Sequence, residues 1–156
     1  MKNIYKLLII FSIFALSACG YTPLYKVQKI KFNISDIQSN NKNNHYYHFR
    51  NSLKSYMQNN ESDLQNVTIK INFSKNKYVI SKDAKGNPLV YSLEITSDIG
   101  VFQNNDLILD KKIKKKFKYN YKSNIFDLNR YEENIEKNLI KSIADDLILL
   151  ISKNIE

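Results

Sequence analysis

Alternating apolar and polar residues predict four β-strands, because a period of two buries one face of a strand and leaves the other in water. The predicted strands cover residues 27–34, 67–80, 89–101 and 107–119. A polar, turn-rich loop over 35–44 follows the first strand. The apolar parity reverses within the second strand, which predicts a bulge or a bend near Lys75 and Asn76. Turn-forming residues at 83–88 and 103–106 then connect the last three strands as hairpins.

Apolar residues three and four positions apart predict two helices. The first covers residues 45–59, and the second carries an apolar residue at every fourth position from Tyr131 to Ile151. Candidate N-caps are Asn43 or Asn44 for the first helix and Asp127 or Asn129 for the second. The element order is β-α-β-β-β-α. It predicts an α+β fold in which two helices pack on one face of a roughly four-stranded, mainly antiparallel sheet.

The first 18 residues have the pattern of an export signal. Lys2 and Lys6 precede an apolar run over 7–16, and two small residues follow. The run is about ten residues long, whereas a membrane-spanning helix needs about 20. The sequence Leu-Ser-Ala-Cys ending at Cys19 is typical of a lipoprotein signal, in which the thiol takes a diacylglyceryl group before cleavage. We therefore predict removal of residues 1–18; the alternative is a plain signal peptide or a short anchor helix.

The mature chain, residues 19–156, is predicted to be a single domain behind a short linker that is lipid-anchored at Cys19. We expect the covalent diacylglyceryl and N-acyl lipid at this residue and no cofactor. Cys19 is the only cysteine, so the mature monomer forms no disulfide. Its stability must come from an apolar core and from hydrogen-bonded secondary structure.

The chain of 156 residues has a formal net charge of +9. Arg50 and Arg130 are the only arginines, so lysine supplies nearly all of the positive charge as a hydrated point charge. Asn and Ile are also abundant, which indicates that part of the lysine content is a coding bias. On an exported, lipid-anchored protein the surplus points to anionic lipid head groups or glycolipid phosphates. Nucleic acid is not an expected partner in that compartment.

Three stretches resemble the LPS-assembly lipoprotein family, LptE, in its alphaproteobacterial form. They are Cys-Gly-Tyr-Thr-Pro-Leu-Tyr at 19–25, Tyr-Asn-Tyr at 119–121 after the last strand, and Ala-Asp at 144–145 in the final helix. The order of strands and helices is similar as well. The resemblance covers essentially the whole mature chain.

The resemblance implies an outer-membrane lipoprotein on the periplasmic side, bound inside a large barrel partner, LptD. Together such a pair inserts lipopolysaccharide into the outer leaflet. The family member plugs the barrel, aids its assembly and binds lipopolysaccharide. Gly20, rather than an aspartate, follows the lipidated cysteine, which looks like an outer-membrane address.

Six lysines are candidate ligand-binding residues: Lys82, Lys85, Lys112, Lys114, Lys116 and Lys118. The last four share one face of the predicted fourth strand, about 7 Å apart. At that spacing they suit lipid A phosphates or acidic loops of a barrel wall. The first two lie at the predicted hairpin tip, where they suit an incoming glycolipid. The alternatives are a solvated sheet face whose lysines discourage edge pairing, and a tip that is polar by default.

The sequence has no Ser-His-Asp order, glycine-rich phosphate loop or metal motif. We therefore expect neither enzymatic activity nor a metal site. His45 and His48 are expected to be ordinary residues of a helix surface. Besides the barrel plug, one class of function stays open, a stand-alone envelope lipoprotein that carries an amphiphilic ligand. Such a carrier needs an apolar cavity between its helices and its sheet.

Overall fold

The computed structural model describes residues 31–57 and 64–155, which form one sheet and two helices. The elements are β1 (Phe32–Gln38), α1 (Asn44–Ser52), a 3-10 turn (Lys54–Tyr56), β2 (Gln65–Lys82), β3 (Pro88–Gln103), β4 (Asp106–Asn120) and α2 (Ile125–Asn154). The signal segment 1–18, Cys19 and the first part of the predicted strand over 27–34 lie outside the described residues. The α+β class and the element order β-α-β-β-β-α are confirmed.

The four strands lie in the sheet in chain order, β1-β2-β3-β4. β1 pairs with β2 in parallel, and α1 provides the connection that parallel neighbours need. The other two pairs are antiparallel hairpins. Asn104 and Asn105 form the two-residue turn between β3 and β4, both with positive φ angles (50° and 71°). Asparagine tolerates this left-handed region better than most residues, so the second predicted hairpin is confirmed.

Both helices cover the same face of the sheet, and the core lies between the two layers. Ile69 on β2 and Val101 on β3 face it from the sheet, while Ile140, Ile143 and Leu147 face it from α2, all five with no exposed surface. Polar side chains alternate with these residues on each element, so only one side of the sheet is covered. We call the uncovered side the outer face.

A bulge in β1 makes the first strand longer than its sequence pattern predicts. The register with β2 shifts between Ile34 and Asp36, so the side chain of Ile37 returns to the core, where it is 2% exposed. The strand therefore continues to Gln38. The prediction of a loop from Ser35 onward is wrong because one extra residue reverses the alternation.

The second strand bends later than predicted. Lys75 and Asn76 keep unbroken pairing with β3, and the register shifts at residue 80 instead. The parity reverses at Tyr78 and Ile80 for another reason: this part of β2 has run beyond the core, and both side chains are about half exposed. Without burial, neither face of the strand has to be polar.

The helices differ from prediction mainly at their ends. Asn43 caps α1 by accepting a hydrogen bond from the backbone N–H of Tyr46. It is one of the two residues predicted as the N-cap of this helix. The α-helix ends at Ser52, earlier than predicted, and the 3-10 turn follows. α2 begins at Ile125, one to two turns before the predicted start. Asn124 is its N-cap and accepts from the N–H groups of residues 126 and 127, so both cap candidates for this helix are wrong.

The covered face predicts where the fold is sensitive to mutation. Ile140→Ala removes a fully buried side chain of α2, which is expected to lower the free energy of unfolding by about 2–5 kcal/mol. Leu149→Ala on the same helix removes a side chain that is 46% exposed and is expected to change it by less than about 0.5 kcal/mol. Urea unfolding of the two variants checks this. Equal losses would contradict the placement of the core.

Candidate functional site

The outer face of the sheet is polar over most of its length. Its side chains on the central strands are mainly hydroxyls, amides and charged groups: Thr68, Lys70, Asn72, Ser74 and Asn76 on β2, and Ser92, Glu94, Thr96 and Asp98 on β3. A further layer of helices or strands could pack on this side of the sheet only if the face were apolar. This face instead suits contact with water or with a hydrated surface.

The lysines of β4 lie on the outer face, as the alternation predicts. Pairing with β3 puts them in one row along the sheet edge: Lys112, Lys114, Lys116 and Lys118. Lys112 Nζ lies 3.1 Å from Asp98 Oδ1. Lys114 Nζ lies 3.2 Å from Glu94 Oε1. These two charges are therefore partly neutralised within the sheet.

The other two lysines of the row have different surroundings. Lys116 lies opposite Glu94, whose carboxylate already contacts Lys114, and Lys118 lies opposite Ser92. In the part of the chain that the structure describes, neither lysine forms an ion pair. They are the members of the row with the most charge available to a partner. Binding by any of these lysines stays a prediction.

The hairpin tip between β2 and β3 is an ordered turn built around Asp83. Its Oδ1 accepts hydrogen bonds of 2.8 Å from the N–H groups of Lys85 and Asn87. Its Oδ2 accepts another, of 3.0 Å, from the Asn87 side chain. These bonds, led by the Asn87 amide, lower the pKa of the Asp83 carboxyl below its ordinary value of 3.8. Gly86 supplies a positive φ of 86°. The turn holds Lys82 and Lys85 at the tip as predicted.

The end of the molecule that carries this tip is unusually apolar. We call it the hairpin end and define it as residues 78–91 and 117–126. Its exposed apolar side chains are Tyr78, Val79, Ile80, Leu89, Phe117, Tyr121, Ile125 and Phe126, each 44–77% exposed. Four lysines and one aspartate occupy the same two segments. Apolar groups ringed by cations are typical of surfaces that bind an anionic amphiphile or another protein.

The strands of the hairpin end lack a helical cover because α2 contributes only its first two residues, Ile125 and Phe126, to this end. β2 has 18 residues and is about 60 Å long, whereas α2 has 30 residues and is about 45 Å long. The helix begins beside Tyr119, whose ring packs on Tyr131 with centroids 5.9 Å apart. Beyond that contact the strands continue without a helix above them.

A partly buried polar cluster marks the place where the cover by α2 ends. The Tyr119 hydroxyl donates to Glu132 Oε1 at 2.6 Å, and Lys77 also contacts that oxygen. Burial, and then the bond to Glu132, raises the pKa of Tyr119 far above its ordinary range. Tyr119 therefore remains a donor at all physiological pH values. Tyr91 stacks on Tyr119 at 5.7 Å, so the cluster fixes the helix start on the sheet.

A second cluster joins the two helices to β2. Glu136 of α2 accepts from His45 Nε2 at 2.8 Å and from Lys75 Nζ at 2.9 Å. The His45 side chain is only 13% exposed, so the prediction of an ordinary surface histidine is wrong for this residue. Nowhere in residues 31–57 and 64–155 do three or more His, Cys, Asp or Glu side chains gather as metal ligands. The contact of His45 with Glu136 joins α1 to α2.

Among the solved structures that are similar to the chain in fold are three bacterial lipoproteins. They are rare lipoprotein B from Shewanella oneidensis (15% identity, TM-score 0.60, 78% of this chain and 94% of that one), an uncharacterised lipoprotein B from Nitrosomonas europaea (12%, 0.61, 82% and 90%) and a putative lipoprotein from Caulobacter crescentus (11%, 0.57, 77% and 88%). At these identities the likeness shows a shared fold. The chain thus has the fold of small bacterial lipoproteins, at the coarse level that the LptE resemblance implies.

No protein-family model matches the chain, and no curated protein matches it either. Among the described helices none is both long enough and apolar enough to cross a membrane.

The Asp83 turn gives a test by pH. Folding lowers the pKa of this carboxyl. The ionised carboxylate therefore stabilises the turn above the ordinary pKa of 3.8, and this stabilisation is lost as the pH falls below that value. The amide signals of Lys85 and Asn87 are expected to shift in that window when followed by NMR. Asp83→Asn is expected to abolish the shift. Persistence of the pH response in the variant would assign it to another group.

Proposed function

We propose that this chain is a non-catalytic outer-membrane lipoprotein, held by a lipid at Cys19 on the periplasmic side. It partners and plugs a barrel of the LptD type, and together they transport lipopolysaccharide to the outer leaflet. The fold shared with bacterial lipoproteins supports the envelope assignment. The resemblance over residues 19–25 supports the LptE type. The role needs no cofactor.

One observation carries the barrel partnership: one face of the sheet is uncovered and is polar over most of its length. The lumen of a large outer-membrane barrel is lined with polar side chains and water. A plug must present a hydrated surface to that wall, and the outer face does so over three strands. Lys116 and Lys118 add positive charge for acidic groups of the wall.

The hairpin end supports contact with lipopolysaccharide. The ligand combines phosphates with acyl chains, and this end combines lysines such as Lys82 and Lys118 with exposed groups such as Phe126 (77%) and Leu89 (48%). Aligned ammonium groups pair with phosphates, while apolar surface gains free energy by leaving water.

The interior argues against the alternative of a carrier with a central cavity. Apolar side chains fill the space between the two layers; among them Phe32, Phe49 and Ile95 have no exposed surface. An amphiphile that entered there would have to separate the helices from the sheet. The outer surfaces therefore remain the better candidates for ligand contact.

The proposal is tested by purifying this chain under conditions in which a barrel partner would stay bound to it. The tagged, lipidated chain is extracted from outer membranes in mild detergent, and co-purifying proteins are identified by mass spectrometry. A single large barrel at one-to-one yield, with lipopolysaccharide bound, is the expected result. A chain that emerges alone and still binds lipopolysaccharide would replace the plug by a stand-alone carrier.

The lysine row yields a sharper version of this experiment. Lys116→Gln with Lys118→Gln removes the two row charges without an ion pair in the described chain, and is expected to weaken barrel retention by about fivefold. The matched control is Lys42→Gln with Lys54→Gln, two exposed lysines outside the sheet. Both double variants should melt at the parent temperature. Equal retention by the two would show that the row is only a solvated face.

The apolar part of the hairpin end has its own test. Phe126→Ser changes a side chain that is 77% exposed, so the free energy of unfolding is expected to stay within about 0.5 kcal/mol of the parent value. Binding of fluorescent lipopolysaccharide to the purified chain is expected to weaken severalfold. Leu149→Ser on the outside of α2 is the control. Unchanged binding by the Phe126 variant would remove this surface from the site.

A further inference from the structure

A groove crosses the outer face at the opposite end of the sheet from the hairpin tip. It has a volume of about 500 Å³ and lies over β1, β2 and the turn between β3 and β4. A second groove of about 420 Å³ adjoins it and shares two of its lining residues, Gln38 and Lys70. Together they form one polar cleft.

The floor of this cleft is an aromatic ring. Gly100 makes room for it: a Cβ at this position would lie 3.1 Å from the Phe102 ring and 3.4 Å from Leu107. The ring therefore leans across the glycine, at the surface of the sheet. Lys70 lies above it, with Nζ 4.5 Å from the ring centroid. A cation and an aromatic surface thus meet at the centre of the cleft.

Six residues with carboxamide side chains line the cleft, and internal hydrogen bonds hold three of them by one half only. Asn66 accepts from Asn33 at 3.0 Å, and Asn72 accepts from the Asn40 backbone at 3.2 Å. Gln38 donates to Asp36 at 3.1 Å. The other half of each of these three amides has no hydrogen-bond partner within the described residues: the NH2 groups of Asn66 and Asn72, and the oxygen of Gln38. These side chains are positioned in advance yet keep a donor or an acceptor for a ligand.

We infer that this cleft binds an oligosaccharide that carries an anionic group. The C–H face of a sugar ring packs on the Phe102 ring once the Lys70 ammonium has turned from the ring to the anionic group of the ligand. The hydroxyl groups of the sugar pair with planar amides that both donate and accept. Lys70 supplies the charge for a phosphate or carboxylate substituent. An acyl chain would strand these amides without partners. The inference needs only the cleft and holds whether or not the chain plugs a barrel.

Binding is tested on the lipidated full chain in detergent by NMR titration. Two probes carry the required chemistry from different sources: phosphorylated core oligosaccharide from deacylated lipopolysaccharide, and soluble glycan fragments of peptidoglycan with their lactyl carboxylates. Neutral maltohexaose and inorganic phosphate are the comparisons. We expect one anionic oligosaccharide to shift the amide signals of Lys70, Phe102 and the turn at 104–105, and the comparisons to bind more weakly.

Two variants connect such binding to the cleft. Asn104→Gly with Asn105→Gly removes two amides that line it, and glycine adopts the positive φ angles of both positions. Lys70→Gln removes the charge. Each is expected to weaken binding by about fivefold. Ser74→Ala, on the same face outside the cleft, should bind like the parent.

Three outcomes would overturn the inference. One is the absence of any shift at the cleft with either anionic oligosaccharide. Another is binding of maltohexaose or of inorganic phosphate with the same affinity as the anionic oligosaccharides, which would show that the cleft has no preference for a charged saccharide. The last is full affinity in both cleft variants while their circular dichroism spectra match the parent.

Discussion

The fold depends on one packing arrangement, in which the apolar stripe of α2 lies across one face of the sheet. Ile140, Ile143, Leu147 and Ile151 of this helix are fully buried, and removal of such surface from water is the main term that favours folding. The helix is about 45 Å long and the central hairpin about 60 Å. One layer therefore cannot cover the other. The surplus length of the strands becomes the hairpin end, with its exposed aromatic rings and lysines.

This arrangement separates stability from recognition. The core uses only the inner face, so the outer face is free to carry charges, amides and hydroxyls over most of its length. The clusters around Glu132 and Glu136 then fix α2 in position, through Tyr119 and His45 respectively. Surfaces at opposite ends of the sheet differ in chemistry: the hairpin end suits an amphiphile, and the cleft near Lys70 suits a saccharide.

Much of this architecture follows from the period of the sequence. Alternation assigns the lysines of β4 to one face, and the spacing of four from Tyr131 to Ile151 identifies the buried stripe of α2. The bulge at Ser35 and the N-cap at Asn124 were beyond reach of such patterns, because each depends on the register or on a single hydrogen bond. The hairpin end leaves only a weak signal, the parity change at Tyr78. The cleft leaves none, since it joins residues from three strands, a loop and a turn.

Site-specific photo-crosslinking in growing cells tests the central claim, that the outer face lies against a barrel wall. A photoreactive residue replaces Asn76, which is exposed on the outer face of β2. The account predicts a crosslink to one large outer-membrane barrel protein, identified by mass spectrometry. Crosslinks to lipid alone, or no crosslink from this position while the protein is folded and anchored, would contradict it.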